Sequence, residues 1–203
     1  MSEPVFSNYE VRKIGTKLNA TGATQIVADC VGSMEDEMET RIVTKNCRGV
    51  ATKTRVFGTG TGTVTLSLHM PIAMYKAIFA LERSDLKKGV LGYGRPNAHP
   101  EFQTVADVFD EDGNEKYIAY PKCIMQSGPD MGVENGADEI EEVEVEISVM
   151  PDDNGYGKYE ALVADLDEDV KTAWLTDFTT ELVTKSPETG DSTGDSTGDT
   201  TDP

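Results

Sequence analysis

Much of the chain alternates between hydrophobic and polar residues with a period of two, which is the pattern of half-buried β-strands. Val50–Phe57 and Thr63–Met70 show this alternation and are rich in Thr and Val. The glycine-rich stretch 58–62 predicts a flexible turn between them. On the second segment, Val64, Leu66, Leu68 and Met70 fall on one side and Thr63, Thr65, Ser67 and His69 on the other.

Two pairs of strand-like segments flank acidic turns, which is typical of antiparallel strands joined by short loops. They are 105–109 and 116–120 around 110–114, and 141–150 and 156–164 around 151–155. Gly113 is the fourth residue counted from Asp110, whereas a helix-loop-helix calcium loop places its glycine sixth. The first turn therefore predicts no calcium site.

Two segments have helical spacing. Pro71 suits a first helical position, and the residues after it keep apolar side chains on one face as far as position 82 or 83: Ile72, Tyr75, Ile78 and Phe79. A second helix is predicted from Asp167 as N-cap, because Val170, Trp174 and Phe178 follow at i, i+4 and i+8. The predicted fold is mainly β, a β-sandwich or barrel with flanking helices.

The two ends of the sequence differ in character. Residues 1–183 form the predicted domain, whereas no large apolar side chain follows Val183, and Thr-Gly-Asp recurs three times near the end. Residues 184–203 are therefore predicted to be a disordered acidic tail. The N-terminus lacks the pattern of a secretory signal, and no apolar run is long enough to span a bilayer, so we expect synthesis in a cytosol.

Three widely spaced cysteines, Cys30, Cys47 and Cys123, form no zinc pattern with the two histidines, and free, mostly buried thiols are expected. No nucleophile elbow, dinucleotide fingerprint or paired metal-binding motif occurs. The sequence therefore predicts no catalytic residue, no cofactor and no metal site.

The net charge of −19 is concentrated in the second half of the chain. Residues 1–100 carry 13 basic and 9 acidic groups, whereas residues 101–203 carry 5 basic and 28 acidic groups. This balance disfavours binding of nucleic acid through a basic surface, because phosphates need neutralising cations. A basic helix on a membrane surface is equally unsupported.

The segment 141–150 places like charges along one side of a strand. Glu142, Glu144 and Glu146 share that side, and valines and an isoleucine occupy the other. Natural solvent-exposed faces usually mix signs, because cross-strand Lys–Glu pairs stabilise sheets. Two interpretations stay open: an ordinary solvated outer face, or a wall whose function requires it to stay acidic.

In the order of these elements and the composition of their segments, the chain resembles the major tail (tail tube) proteins of long-tailed, non-contractile bacteriophages. The resemblance covers most of residues 5–183. It rests on the strand 60–70 leading into the helix 71–81, the segment 89–94, the strand 116–123, the acidic strand 138–149 followed by 150–155, and Trp174–Phe178.

The resemblance implies a structural virion protein that assembles into hexameric rings stacked head-to-tail. Each subunit would contribute about four strands to a shared β-barrel. The expected location is the phage tail, with assembly in the host cytoplasm. Expected partners are other copies of the chain, a tape-measure protein, a tail terminator and a distal tail protein. Genomic DNA would pass through without specific binding, and no membrane is involved. The alternative is a monomeric β-sandwich binding or decoration module.

Under this resemblance, an acidic wall would repel DNA phosphates within the Debye length. The candidate lumen-facing residues are Glu142, Glu144, Glu146, Thr63, Thr65 and Ser67, unless these glutamates face outwards and another strand lines the bore. The family also uses a long loop or hairpin before Val50 to contact the next ring. The candidates there are Glu35, Asp36, Glu37, Glu39, Arg41 and Lys45, with an ordinary polar hairpin as the alternative.

Overall fold

The computed structural model describes residues 5–130, 132–136 and 140–185. Within them the prediction of a mainly β fold is confirmed. The strands are β1 Glu10–Leu18, β2 Ile26–Ala28, β3 Val31–Cys47, β4 Val50–Leu68, β5 Phe102–Phe109, β6 Glu115–Met125, β7 Val143–Met150 and β8 Tyr159–Leu162. The helices are α1 Ile72–Ile78, α2 Glu168–Asp177 and α3 Thr180–Val183, with a 3-10 turn at Val163–Asp165.

All eight strands belong to one antiparallel sheet with the order β2-β1-β5-β6-β7-β4-β3, and β8 also pairs with β6. One edge of β6 pairs with two strands in succession: Lys116–Ala119 pairs with β8, and Lys122–Met125 pairs with β7. β1 and β3 approach each other, but within the described residues no ladder joins them. The sheet of a single chain therefore folds over on itself without closing into a barrel.

The main core lies inside this folded sheet. Successive side chains on a strand point to opposite faces, so each strand contributes alternate residues to the core. One half of the sheet supplies Ile14, Phe102, Ala106 and Tyr120, and the other half supplies Val64, Leu66, Leu68, Val145 and Ile147. Met74 and Ile78 of α1, with Phe79 directly after it, pack into the same core.

A second, smaller core lies on the other face of β5 and β6, where α2 covers the sheet. Trp174 is buried there, and its indole Nε1 donates to the carbonyl oxygen of Ile118 at 3.4 Å. The ring of Phe178, one residue beyond α2, is fully buried 5.2 Å from that of Trp174. The helix predicted from Asp167 is thus confirmed, with Asp167 at its N-cap.

β4 differs from the prediction. The chain does not reverse at the glycine-rich stretch 58–62 but continues as one strand, with a bulge at 59–61 where Gly60 has a φ of +78°. Gly62 pairs with Met38 of β3 and with Val149 of β7, and a Cβ on Gly62 would lie 2.5 Å from the carbonyl oxygen of Glu37. The glycine therefore permits a close backbone approach. The chain reverses at Arg48 and Gly49, whose φ angles are +52° and +80°.

One helix boundary and one strand pairing also differ from expectation. Helix α1 ends at Ile78 rather than at 82 or 83, Pro71 is its N-cap, and Ile72 is exposed. Tyr159–Leu162 pairs with β6 rather than with β7, so the turn 151–155 does not close a hairpin. The hairpin predicted around 110–114 is confirmed, with Val105 opposite Ala119.

The cysteines are free, but only Cys123 is buried; the expectation of mostly buried thiols is wrong for Cys30 and Cys47. Cys30 immediately precedes the edge strand β3, and Cys47 is the last residue of that strand. Both side chains are exposed, and neither reaches the core. The predicted acidic tail lies outside the described residues from 186 onward. Among the helices that the structure describes, none has both the length and the apolar character needed to cross a membrane.

Candidate functional site: an acidic strand face

β4 and β7 turn one face towards the core and the other towards solvent. In the register between them, Glu144 lies opposite Ser67, and Glu146 lies opposite Thr65. Thr63 is likewise opposite Ser148. Directly opposed residues on antiparallel strands point to the same side, so these glutamates and hydroxyl residues share one surface.

β3 extends the same surface on the other side of β4. Glu35 lies opposite Thr65, and Glu37 lies opposite Thr63. One row of residues therefore runs across three strands from Glu35 through Thr65 to Glu146. We call this surface the acidic face; its members are Ser33, Glu35, Glu37, Thr63, Thr65, Ser67, Glu144, Glu146 and Ser148.

The carboxylates of the acidic face are exposed, and the hydroxyl residues of β4 lie half-buried between them. Glutamates two apart on a strand are about 7 Å from each other, and those separated by β4 are about 10 Å apart. In the part of the chain that the structure describes, no ion pair involves Glu35, Glu37, Glu144 or Glu146. The face therefore carries uncompensated negative charge.

The neutral side chain of Gln126 forms hydrogen bonds with Glu146 at the β6 edge of the acidic face. The amide nitrogen of Gln126, just beyond β6, donates to both carboxylate oxygens of Glu146 at 3.1 Å in the amide orientation that satisfies both groups. The backbone N–H of Gln126 donates to the carbonyl oxygen of Glu146 at 3.0 Å. These contacts hold Glu146 in place without neutralising it.

The six residues predicted to face a lumen lie on this one surface or at its edge. Glu142 immediately precedes β7, and its carboxylate lies against Gly32 of β3. The assignment of these residues to a lumen stays a prediction, because it concerns an assembly of several chains.

The residues predicted to contact another ring separate into three groups. Glu35 and Glu37 belong to the acidic face. Asp36 points to the opposite side of β3, where the Lys158 Nζ lies 2.8 Å from its carboxylate. Glu39 accepts a hydrogen bond from Thr61 at 2.7 Å, beside the point where β3 and β4 leave the rest of the sheet.

Arg41 and Lys45 lie on the part of β3 that projects beyond the sheet together with β4. Every residue from 39 to 59 is exposed. We call residues 39–61 the hairpin arm. Sequence analysis missed that Glu35 and Glu37 belong with the other glutamates. The alternation in 33–38 was visible, but the pairing of β3 with β4 was not.

Among the described residues no three His, Cys, Asp or Glu side chains are grouped so that they could hold a metal ion. A cavity of about 350 Å³ lies elsewhere, between the edges of β1 and β3. What the acidic face provides is a broad surface that repels anions and offers hydroxyl groups to water.

No protein-family model matches the chain, and no curated protein matches it. One similar solved structure is a chain of the 6-fold symmetrised cryo-EM structure of the anti-feeding prophage baseplate. That chain is 11% identical, the match covers 82% of this chain and 100% of that one, and the TM-score is 0.40.

Proposed function

We propose that this chain is a structural subunit of a bacteriophage tail tube, in which copies assemble into stacked rings with the acidic face towards the bore. The observation that carries the proposal is the one-sided character of β3, β4 and β7. Their inner side belongs to the core, and their outer side is a surface of unpaired glutamates and hydroxyl residues.

The electrostatics favour passage of DNA over binding. Duplex DNA carries about one negative charge per 1.7 Å of its axis, and a basic wall would hold it. An acidic wall repels phosphates within about 8 Å at physiological ionic strength. Hydroxyl groups between the glutamates keep that wall hydrated, so a duplex slides along it without specific contacts.

A closed ring of six copies would be wide enough for a DNA duplex. If β3, β4, β7 and the second half of β6 from each of six copies line the bore, the wall has about 24 strands. At about 4.8 Å per strand, its circumference is about 115 Å and its diameter about 37 Å, which leaves room for a duplex. Ring closure would also cover the free edge of β3, which is a liability in a monomer.

The resemblance in element order supports the same proposal. It adds the expected partners, a tape-measure protein inside the tube and a terminator and a distal tail protein at its ends. A monomeric binding or decoration module is the competing function, and self-assembly separates the two.

The test combines assembly with DNA retention. Purified protein at high concentration is imaged by negative-stain electron microscopy, and we expect rings or tubes with a central bore. Pelleted tubes are then incubated with short fluorescent duplex DNA. Wild-type tubes should retain little, whereas tubes of the Glu144→Lys/Glu146→Lys variant should retain at least about tenfold more, because their wall attracts phosphates.

The matched control is Glu111→Lys/Asp112→Lys, which reverses two exposed charges in the β5–β6 turn. It should leave retention at the wild-type level. A chain that stays monomeric at every concentration would contradict the tube. Tubes of the strand variant that retain no more DNA than the control would contradict the position of the acidic face.

A further inference from the structure

A groove runs along β8 on the side of the sheet that carries α2. Two adjoining cavities of about 600 Å³ and about 290 Å³ form it, and both are lined by Tyr159, Glu160 and Val183. β8 provides one wall, and α2 with residues 182–185 provides the other. None of these residues belongs to the acidic face, so the groove is a separate surface of the molecule.

The groove and the acidic face lie on opposite sides of the main core. The acidic face is the outer side of β3, β4 and β7, which form one half of the folded sheet. The second core and α2 cover the outer side of the other half. If the acidic face lines a bore, the groove opens on the outside of the tube. A monomer exposes it as well, so a ligand of the groove needs no tube.

β8 is an edge strand. It pairs with β6 from Tyr159 to Leu162, and no strand of the described residues pairs with its other edge. An unpaired edge presents backbone N–H and C=O groups at the spacing of an extended chain. A peptide can therefore add to such an edge as a further strand, with main-chain hydrogen bonds supplying affinity.

Beside this edge the groove offers apolar side chains. Six residues of the second core keep part of their surface exposed there: Tyr159, Ala161, Leu166, Val170, Leu182 and Val183. The Tyr159 hydroxyl donates to a carboxylate oxygen of Asp152 at 2.6 Å, which fixes the ring where the two cavities meet. Alternate side chains of an added strand would point into the groove and cover these apolar surfaces.

The end of the groove near the start of α2 is acidic. Asp165 and Asp167 line the smaller cavity, are exposed, and belong to no ion pair within the described residues. Glu160 has a partner in Lys158, but the same Lys158 Nζ also lies 2.8 Å from the carboxylate of Asp36. This excess of carboxylates favours a basic ligand over an acidic one.

We propose that the groove binds an extended peptide segment of a partner protein, which adds as a strand to the free edge of β8. The segment carries apolar residues at alternate positions and basic residues between and beyond them. Its apolar side chains enter the groove. Its basic side chains face Glu160, on the opposite side of β8 from Tyr159, and Asp165 and Asp167 at the end of the groove.

The chain's own C-terminal segment is a poor occupant. Residues 186–203 begin beside the groove, because Lys185 lines the larger cavity. They contain five acidic residues, no basic residue and no large apolar side chain. Asp165 and Asp167 would repel such a segment, and it has nothing to bury in the groove.

Fluorescence anisotropy of labelled synthetic peptides with the full chain tests the proposal. The probe is Lys-Val-Lys-Val-Lys-Val-Lys-Val. Three comparison peptides carry glutamate for lysine, serine for valine, or N-methyl groups on the two central residues. Each should bind at least about tenfold more weakly than the probe, because they lose charge attraction, apolar cover and main-chain hydrogen bonds respectively.

Asp165→Lys/Asp167→Asn should weaken binding of the probe at least about tenfold. Asparagine is used at 167 because that residue is the N-cap of α2, where it is as suitable as aspartate. The matched control is Glu144→Lys/Glu146→Lys, which changes the acidic face and should bind like wild type. Hydrogen exchange should show slower exchange in 159–166 when the probe is bound.

Equal binding of the glutamate peptide, or equal weakening in the two variants, would overturn the proposal. So would protection of 143–150 in place of 159–166, or a full chain that does not bind the probe. Binding only by a chain that ends at Lys185 would mean that residues 186–203 occupy the groove, which also contradicts it. None of these results bears on assembly of the tube.

Discussion

Asp107 is a carboxyl group buried between strands, and only 3% of its surface is exposed. It lies on β5 opposite Lys13 of β1 and Tyr117 of β6, near Glu115 and Arg12. Burial and then the nearby Glu115 carboxylate raise the pKa of Asp107 to about 7, against the opposing effect of Lys13 and Arg12. The group is therefore protonated in the folded protein at mildly acidic pH.

This shift makes stability depend on pH. The unfolded chain ionises Asp107 near pH 3.8, whereas the folded protein holds the proton to about pH 7. Between these values the folded state binds more protons, so the free energy of unfolding falls as pH rises from about 4 to about 7. Asp107→Asn should remove this contribution and be more stable than wild type at pH 8, by up to about 4 kcal/mol, but not at pH 4. Urea unfolding across this range measures it.

Glu111→Gln provides the control, since Glu111 is exposed in the adjoining turn. Its stability profile should follow that of wild type. An Asp107→Asn variant with an unchanged slope between pH 4 and 7 would show that Asp107 ionises normally in the folded protein. The sequence does not indicate this burial, because Asp107 is one of many acidic residues in the second half of the chain.

At the scale of elements, β4 depends on glycines for contact with its neighbours. Gly62→Ala would place a Cβ 2.5 Å from the carbonyl oxygen of Glu37 and 2.8 Å from the sulfur of Met38. The sulfur has some freedom to move, but the backbone carbonyl belongs to the ladder. We expect a loss of about 1–3 kcal/mol in the free energy of unfolding, measured by urea titration.

Gly58→Ala is the matched substitution on the same strand. No atom lies within 4 Å of the position its Cβ would take, and its φ is not in the left-handed region. We expect no loss of stability, because alanine is at least as suited to a strand as glycine. Equal losses in the two variants would mean that the close approach of β3 and β4 at Gly62 is unimportant.

Elements defined by short-range signals were predictable. Asp167 and the spacing of Trp174 and Phe178 located α2 and its buried side, because both signals lie within a few residues of the helix. The hairpin of β5 and β6 followed from its acidic turn. The glycines of β4 were misread, since the same residue serves a turn and a close approach between strands.

At the scale of the whole molecule, the hairpin arm is separable from the body. Residues 42–56 are exposed throughout and contribute nothing to either core. Replacing them with an Asn-Gly turn between Arg41 and Phe57 should leave the free energy of unfolding within about 1 kcal/mol of wild type. Circular dichroism and urea unfolding test this, and a chain that no longer folds would show that the arm supports the body.

The shortened chain also bears on assembly. The acidic face is intact in it, while the cations at 45, 48, 53 and 55 are absent. If the arm acts only between rings, this variant forms rings that do not stack. Tubes of normal length would instead place the contact between rings elsewhere on the molecule.

The sequence by itself determined which side chains share a face of each strand. Alternation of Cβ positions is a property of the extended backbone, so Glu144 and Glu146 had to lie on one side and Val145 and Ile147 on the other. The uneven distribution of charge between the halves of the chain was also evident from the sequence alone.

Only the tertiary structure decided which strands are neighbours. The pairing of β8 with β6 follows from strand register. So does the position of Glu35 and Glu37 beside the glutamates of β7, and so does the projection of the hairpin arm beyond the sheet. That register depends on how residues distant in sequence pack into one core. No local pattern carries this information, because the free energy that selects one pairing comes from the assembled core.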